Sequence, residues 1–266
     1  MINQQKQQMT KQTKIFIILA CIFVSNVILA EFIGVKIFSL ESTFGFEARN
    51  WSFFGMPIQL HYTCGVIIWP VVFVMTDIIN DYYGRNGVRM LTYIAVGITM
   101  YAFLVSNLAI NVSPASWWIG SNQAMGVPDN NLAFKAVFGQ GNNIIVGSLI
   151  AFVLSQFLDI FIFNKIKEKK GQGAIWIRAT ASTMVSQLLD SFVVIYVAFY
   201  FGQGWSNEQS FQVALNNYIY KGIIAILLIP VLHLIHKALE NYFGQDLSNK
   251  MRQNALSKDS GFDFLA

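Results

Sequence analysis

The sequence predicts an all-α integral membrane protein of six transmembrane helices with both termini cytoplasmic. Three observations carry that prediction. Hydrophobic residues make up 55% of the chain and charged residues only 12%, where a soluble domain holds roughly 25% charged. Six apolar stretches approach the roughly 20 residues that a bilayer crossing requires. The basic residues gather on one set of the intervening loops. Mean hydropathy, at +0.49, agrees with a surface that faces lipid.

The first span, 15–38, follows a polar, Lys-bearing tail over 1–14. It is too long for the apolar region of a signal peptide and lacks a small-x-small cleavage site, so it is expected to be retained. The others are placed at 62–81, 89–110, 142–164, 175–201 and 213–236, leaving a cytoplasmic C-terminal tail over 237–266. Pro70 and Pro230 are expected to interrupt spans 2 and 6, freeing backbone carbonyls that neighbours or cavity water must satisfy. Between spans 3 and 4, the Trp117-Trp118 pair suits a membrane interface. The "NLAFKAVF" piece (131–138) is expected to form a short helix lying on the surface.

Orientation follows from Lys and Arg. With six spans, the termini and the loops after spans 2 and 4 share one side and hold 14 of the 18 basic residues, including the "KIKEKK" run. The positive-inside rule puts that side in the cytoplasm. A pI near 9.0 would suit nucleic acid, but this placement accounts for the charge, so no nucleic-acid partner is expected. Cys21 and Cys64 both lie in apolar runs and suggest no disulfide framework.

The stretch "MTDIINDYYG" (75–84) ends an apolar run in a stripe: Asp77, Asn80, Asp81 and Gly84 fall at i, i+3, i+4 and i+7. Asp159 and Asp190 are embedded similarly, in "SLIAFVLSQFLDIFIF" and "ATASTMVSQLLDSFVVIYVAF". An Asp at the centre of a span costs roughly 2.5–3.5 kcal/mol on insertion scales, so such residues face a cavity or a partner. The plain alternative is a polar clamp between helices. Each acid has polar company at helical spacing: Ser155 and Gln156 before Asp159, and Ser182, Thr183, Ser186 and Gln187 before Asp190. Span 1 carries Ser25, Asn26 and Glu31, and Lys221 is the one base expected to reach the interior. Together these describe a water-accessible cavity between helices, as in a small-solute carrier.

"SQFLDIF" (155–161) echoes "SQLLDSF" (186–192). A register that pairs spans 1–3 with spans 4–6 as an inverted 3+3 repeat suits a transporter better than a local duplication does.

"MTDIINDYYG", "GSLIAFVLSQFLDIFIFNKIK", "RATASTMVSQLLDSFVVIYVAFYFG" and "NNYIYKG", in this order over about 15–236, resemble the vitamin-uptake-type queuosine precursor transporters. The resemblance implies import of a 7-deazaguanine such as preQ0, preQ1 or queuine across the bacterial inner membrane. It also implicates Asn26, Asp77, Gln156, Asp159, Ser182, Thr183, Asp190 and Lys221 in substrate binding. Some members carry an Arg just before span 4, where this chain has Asn142-Asn143, a departure that bears on the outer gate and the preferred precursor. The chemistry is consistent. A 7-deazaguanine presents a ring N–H beside an exocyclic amine, two donors that one carboxylate accepts together. Amides such as Asn26 and Gln156 would read the ring carbonyl.

Two other classes were weighed. A binding subunit of an energy-coupling-factor importer also has about six spans; the chain lacks a Walker A pattern, and Ala30 with Gly34 gives a small-xxx-small face for a partner helix. An intramembrane aspartyl protease would be expected to show a Gly-x-Gly-Asp element, where the chain offers only "GQGN" at 139–142. No enzymatic activity, cofactor or metal site is expected, and His233 and His236 are read as interfacial. Ionising Asp77, Asp159 and Asp190 against Lys221 alone leaves uncompensated negative charge. A coupling proton or sodium ion is therefore expected, with Asp159 its carrier.

Overall fold

The computed structural model describes residues 10–46, 51–53, 56–58, 60–139, 147–155, 158, 161–162 and 175–256, with the side chains of 51–53, 56–58 and 175–183 outside the description. Helix α1 (Lys11–Ile33) starts where the polar tail ends, because the Thr10 side chain accepts from the Thr13 N–H. Its buried residues, Phe16, Leu19, Phe23, Val27 and Ala30, recur every three or four positions and form one stripe. After Gly34 the chain forms strand β1 (Ile37–Ser39), short helix α2 (Leu40–Phe44), strands β2 (Trp51–Phe53) and β3 (Met56–Ile58), and strand β4 (His61–Thr63). β1 pairs antiparallel with β4, Phe38 opposite Tyr62, and β2 pairs with β3. The two small ribbons qualify the all-α expectation without adding a crossing element.

Helix α3 (Trp69–Asn111) follows a 3-10 turn, Cys64–Ile67. Pro70 does not interrupt the helix as expected: it stands in its first turn, where its missing N–H has no intrahelical use. The helix doubles back at Gly84, whose φ of 69° and ψ of −174° are non-helical and suit glycine. Contacts with α1 show the reversal. Tyr83 packs on Phe16 at the start of α1, their ring centroids 5.0 Å apart. Gly65, just before α3, and Phe103, late in it, both meet the end of α1, at Ala30 and Phe32. The limbs before and after Gly84 therefore run in opposite directions, where the sequence placed spans 2 and 3.

Short helix α4 (Ser116–Ile119) carries the Trp pair, and α5 (Asn130–Gly139) is the helix expected for "NLAFKAVF". Asp129 Oδ1 caps it by accepting from the N–H groups of Asn131 and Leu132. Residues 147–155 are helical, while most of expected span 4 lies outside the described residues. Helix α6 (Ile175–Ile195) runs into a π-helical turn, Tyr196–Phe201. Helix α7 (Asn207–Leu227) begins at Ser206, whose hydroxyl accepts from Gln209 N–H. Helix α8 (Ile229–Phe243) follows at a 46° bend with Pro230 in its first turn, so span 6 is a broken element, as expected. Helix α9 (Gln245–Leu256) continues past it.

Among the described residues, three helices are long and apolar enough to cross a membrane, four if the bent α7–α8 pair counts as one. The main core joins α1 to α3 through Phe23, Ile78, Ile79 and Leu91, each nearly inaccessible. A second cluster joins the π turn to α7 through Ile195, Phe199 and Val213. The Ala30–Gly34 face considered for a partner helix is occupied from within the chain. Gly65 packs on it so closely that a Cβ there would lie 2.8 Å from the Ala30 carbonyl oxygen. Lys11 Nζ donates to the Tyr242 carbonyl and Tyr83 Oη to the Gln12 carbonyl. The start of α1, the Gly84 turn and the end of α8 thus share one end of the bundle, here the terminal end.

Candidate functional site

The most demanding feature of the interior is a fully buried ion pair. Lys221 Nζ on α7 lies 2.6 Å from Asp190 Oδ2 on α6, their side chains 6% and 3% exposed. Burying either charge alone is prohibitive, and pairing with hydrogen bonding makes it tolerable. The ammonium also stands 5.2 Å from the centroid of the Trp69 ring, a cation–π distance. Three elements therefore converge on one charge: α6 supplies the acid, α7 the base and the start of α3 the aromatic face.

Two cavities meet at this point, both lined by Trp69 and Asp190. The first, about 520 Å³ counting its open mouth, continues along α3 to Phe73, Thr76, Asp77 and Asn80, and back along α6 to Gln187 and Ser186. The second, about 500 Å³ on the same measure, takes Glu31 and Gly34 from α1, Thr63 and Gly65 before α3, Ser191 and Val194 from α6, and Asn217 and Lys221 from α7. From the second cavity to the first, residue numbers rise along α3 and fall along α6. The cavities therefore lie in series along the bundle, the first towards the terminal end, with Trp69 and the Asp190–Lys221 pair as their shared partition.

The "MTDIINDYYG" stripe divides between two surroundings. Asp77 and Asn80 line the first cavity. Asp81 turns to the terminal end, where Arg252 Nε of α9 lies 2.9 Å from its Oδ2 and His236 Nδ1 3.6 Å away. That Nε–H is not aligned on the oxygen, so the contact is coulombic. Arg252 also pairs with Glu240 at 2.8 Å and donates to Tyr82 Oη. The interfacial reading of His236 becomes specific here: the ring stacks on Tyr82 and faces this network.

Of the other residues implicated by the sequence, Asn26 lines neither cavity, and its Nδ2 donates to the Ile22 carbonyl one turn back. Ser182 and Thr183 stand on α6 about two turns before Asp190, their side chains outside the description. Gln156 and Asp159 lie outside the described residues, as do Asn142 and Asn143.

Sequence reasoning left Glu31, Trp69, Ser191 and Asn217 out of the candidate set. Glu31 accepts a hydrogen bond from Ser148 Oγ. Among the described residues, Asn217 Oδ1, Ser191 Oγ and Gln187 Oε1 are buried with no hydrogen-bond partner, an unusual state for polar atoms of a native interior. All three side chains line one of the cavities. A signal for Glu31 existed: Val27, Ala30, Glu31 and Gly34 fall at i, i+3, i+4 and i+7, so the acid shares a face with residues of the buried stripe. The arrangement offers acceptors from carboxylates and amides, donors from one ammonium and an aromatic face. That suits a planar polar solute.

A family model described as "Putative vitamin uptake transporter" matches residues 63–235. Over 183 residues the chain is 26% identical to a "Probable queuosine precursor transporter" of Bacillus subtilis, covering 67% of this chain and 73% of that protein. It is 24% identical over 206 residues to a "Queuosine precursor transporter" of Escherichia coli, covering 76% and 84%. No solved structure matches the chain. A family model that spans well over half of the sequence, with relatives in agreement, places this chain in the family of putative vitamin uptake transporters, the queuosine precursor carriers that its motifs resemble.

Proposed function

We propose that the chain imports a 7-deazaguanine precursor of queuosine across the bacterial inner membrane, through the polar cavities that meet at Asp190 and Lys221. That buried pair, walled by apolar helices and bordered by polar atoms with no partner among the described residues, is the observation that carries the reading. The relatives bear the names of transporters, so the chain belongs among carriers rather than enzymes.

In this reading the chain crosses six times with both termini in the cytoplasm, and the charge distribution over the loops supports that sidedness. Asp77 and Asp190 take the paired donors of the ring, with Gln156, Ser182 and Thr183 completing recognition; Asn26, which lines neither cavity, drops out of the set. Among the described residues, the acids Glu31, Asp77 and Asp190 border the cavities against the single base Lys221. The imbalance supports coupling to a proton or sodium ion, with Asp159 as the proposed carrier. Cells unable to make the precursor, supplied with labelled 7-cyano- or 7-aminomethyl-7-deazaguanine, should accumulate label only when they express this chain. Equal uptake with and without it would overturn the proposal.

A further inference from the structure

We infer that the cavity around Glu31 is a separate binding station for the 7-deazaguanine ring, in which the Glu31 carboxylate accepts the ring N–H and the exocyclic amine together. The inference rests on the transport reading above and deepens it. It moves the edge-reading role from Asp190, which is engaged by the Lys221 ammonium at 2.6 Å, to an acid whose hydrogen-bond partner among the described residues is a neutral hydroxyl. A carboxylate has two oxygens and about four acceptor positions. Among the described residues, Glu31 has Ser148 as its one hydrogen-bond partner, at Oε2. Oε1 and the second acceptor position of Oε2 remain for the two donors of a ligand in the cavity that Glu31 lines.

The rest of the cavity wall complements the same ligand. Asn217 Oδ1 is a buried acceptor with no partner among the described residues, and Ser191 Oγ is also unpartnered. Their residues are 4% and 2% exposed. Polar atoms in that state cost stability unless something occupies them, and a ring bearing a further N–H supplies a donor. Lys221 spends one contact on Asp190 and keeps donors for a ring carbonyl. Trp69, which lines the same space, offers an aromatic face for a flat ring. A neutral ligand with adjacent donors and one carbonyl meets all these groups. From this station, the ring passes Trp69 and Asp190 to reach the cavity of Asp77 and Gln187.

The test is equilibrium binding to the purified full-length protein in lipid nanodiscs. The probes are 7-cyano- and 7-aminomethyl-7-deazaguanine, each with and without the 2-amino group. The unmodified protein should prefer the amino forms by at least about tenfold, because a site built for a donor rejects the analogue that lacks it. Glu31→Gln presents an amide N–H₂ to the ligand's own donors and should bring the ratio close to one. Glu31→Asp, which keeps the carboxylate, should restore part of the preference, a result that a purely structural role would not give. Asp81→Asn should leave the ratio intact, because Asp81 lines neither cavity and pairs with Arg252. An undiminished amino preference in Glu31→Gln overturns the inference while leaving the transport reading standing. If the unmodified protein binds none of the four rings, both fall.

Discussion

Asp77 and Asp81 stand one helical turn apart on the same limb of α3 and meet opposite circumstances. Asp77 lines a cavity continuous with the Asp190–Lys221 pair. Asp81 faces a network of Arg252, His236, Glu240 and Tyr82 whose charged side chains are between 12% and 30% exposed. At the terminal end, Asp81 and Glu240 both pair with Arg252, with His236 near Asp81 and water within reach. In the middle, one base serves several acids, and Asn217, Ser191 and Gln187 hold atoms with no partner among the described residues. A network of paired charges at the surface holds helices together. One that borders cavities with acceptors to spare is arranged for something that is not part of the chain.

The sharpest way to break this comparison is to remove one member of the buried pair. Lys221→Met should destabilise the protein by about 3–5 kcal/mol, the usual cost of leaving an uncompensated buried charge. It should also abolish uptake. Adding Asp190→Asn to Lys221→Met should recover much of the stability in thermal unfolding but none of the transport. Recovery of uptake in the double variant would make the pair a structural clamp.

Next in size is Asp77→Asn, which replaces an acceptor by a donor at the cavity wall. It should weaken 7-deazaguanine binding at least about tenfold, corresponding to about 1–3 kcal/mol for a mismatched buried polar group, with the protein still inserted. Asp81→Asn, one turn away, should leave affinity unchanged. Equal losses in both would erase the distinction between the two surroundings. Arg252→Met tests the other side: partly exposed ion pairs contribute about 0–1 kcal/mol, so a small, salt-sensitive drop in melting temperature is expected. A loss as large as that of Lys221→Met would show the terminal network to be equally critical.

The smallest effect belongs to Glu41, outside the crossing helices. Burial works to raise its pKa, but its own backbone N–H, the Leu60 N–H and the Ser39 hydroxyl, with His61 nearby, hold it below the usual carboxylate value. A lowered pKa means that the ionised form is favoured in the folded state. Its contribution to the β1–β4 ribbon is therefore complete above pH 4.5 and fades as the pH falls through the lowered value. Melting temperatures recorded from pH 6 to pH 4 should fall slightly less for Glu41→Gln than for the unmodified protein. Identical curves would remove Glu41 from that role.

The parts of the fold that composition governs were legible in the sequence. The apolar runs of α1, of the limbs flanking Gly84 and of α6 announce themselves by length, because lipid demands a fixed thickness of apolar surface. The bend at Pro230 and the helix at 130–139 were also readable, one from a missing donor and one from local pattern. Pro70 was misread because proline both opens and breaks helices, and its role depends on the 3-10 turn before it. The ribbons β1–β4 and β2–β3 were missed, since strands of three residues leave almost no periodic signal. Asp190 and Lys221 were picked out one by one as intramembrane charges, but their pairing depends on how α6 meets α7, which no local pattern encodes. Glu31 was named among the polar residues of the expected cavity but not among the substrate-binding residues, and the approach of Gly65 to Ala30 shows that this end of α1 is interior. Trp69 was one aromatic among many until the ammonium beside it was located.

Gly84 gives the molecule a lever. The limb of α3 that ends there carries Trp69 at one tip, Asp77 along its length and Asp81 just before the turn. A solute that parted Trp69 from Lys221 by shifting this limb as one body would also shift the Arg252 contact, roughly 20 Å away at about 1.5 Å of rise per residue.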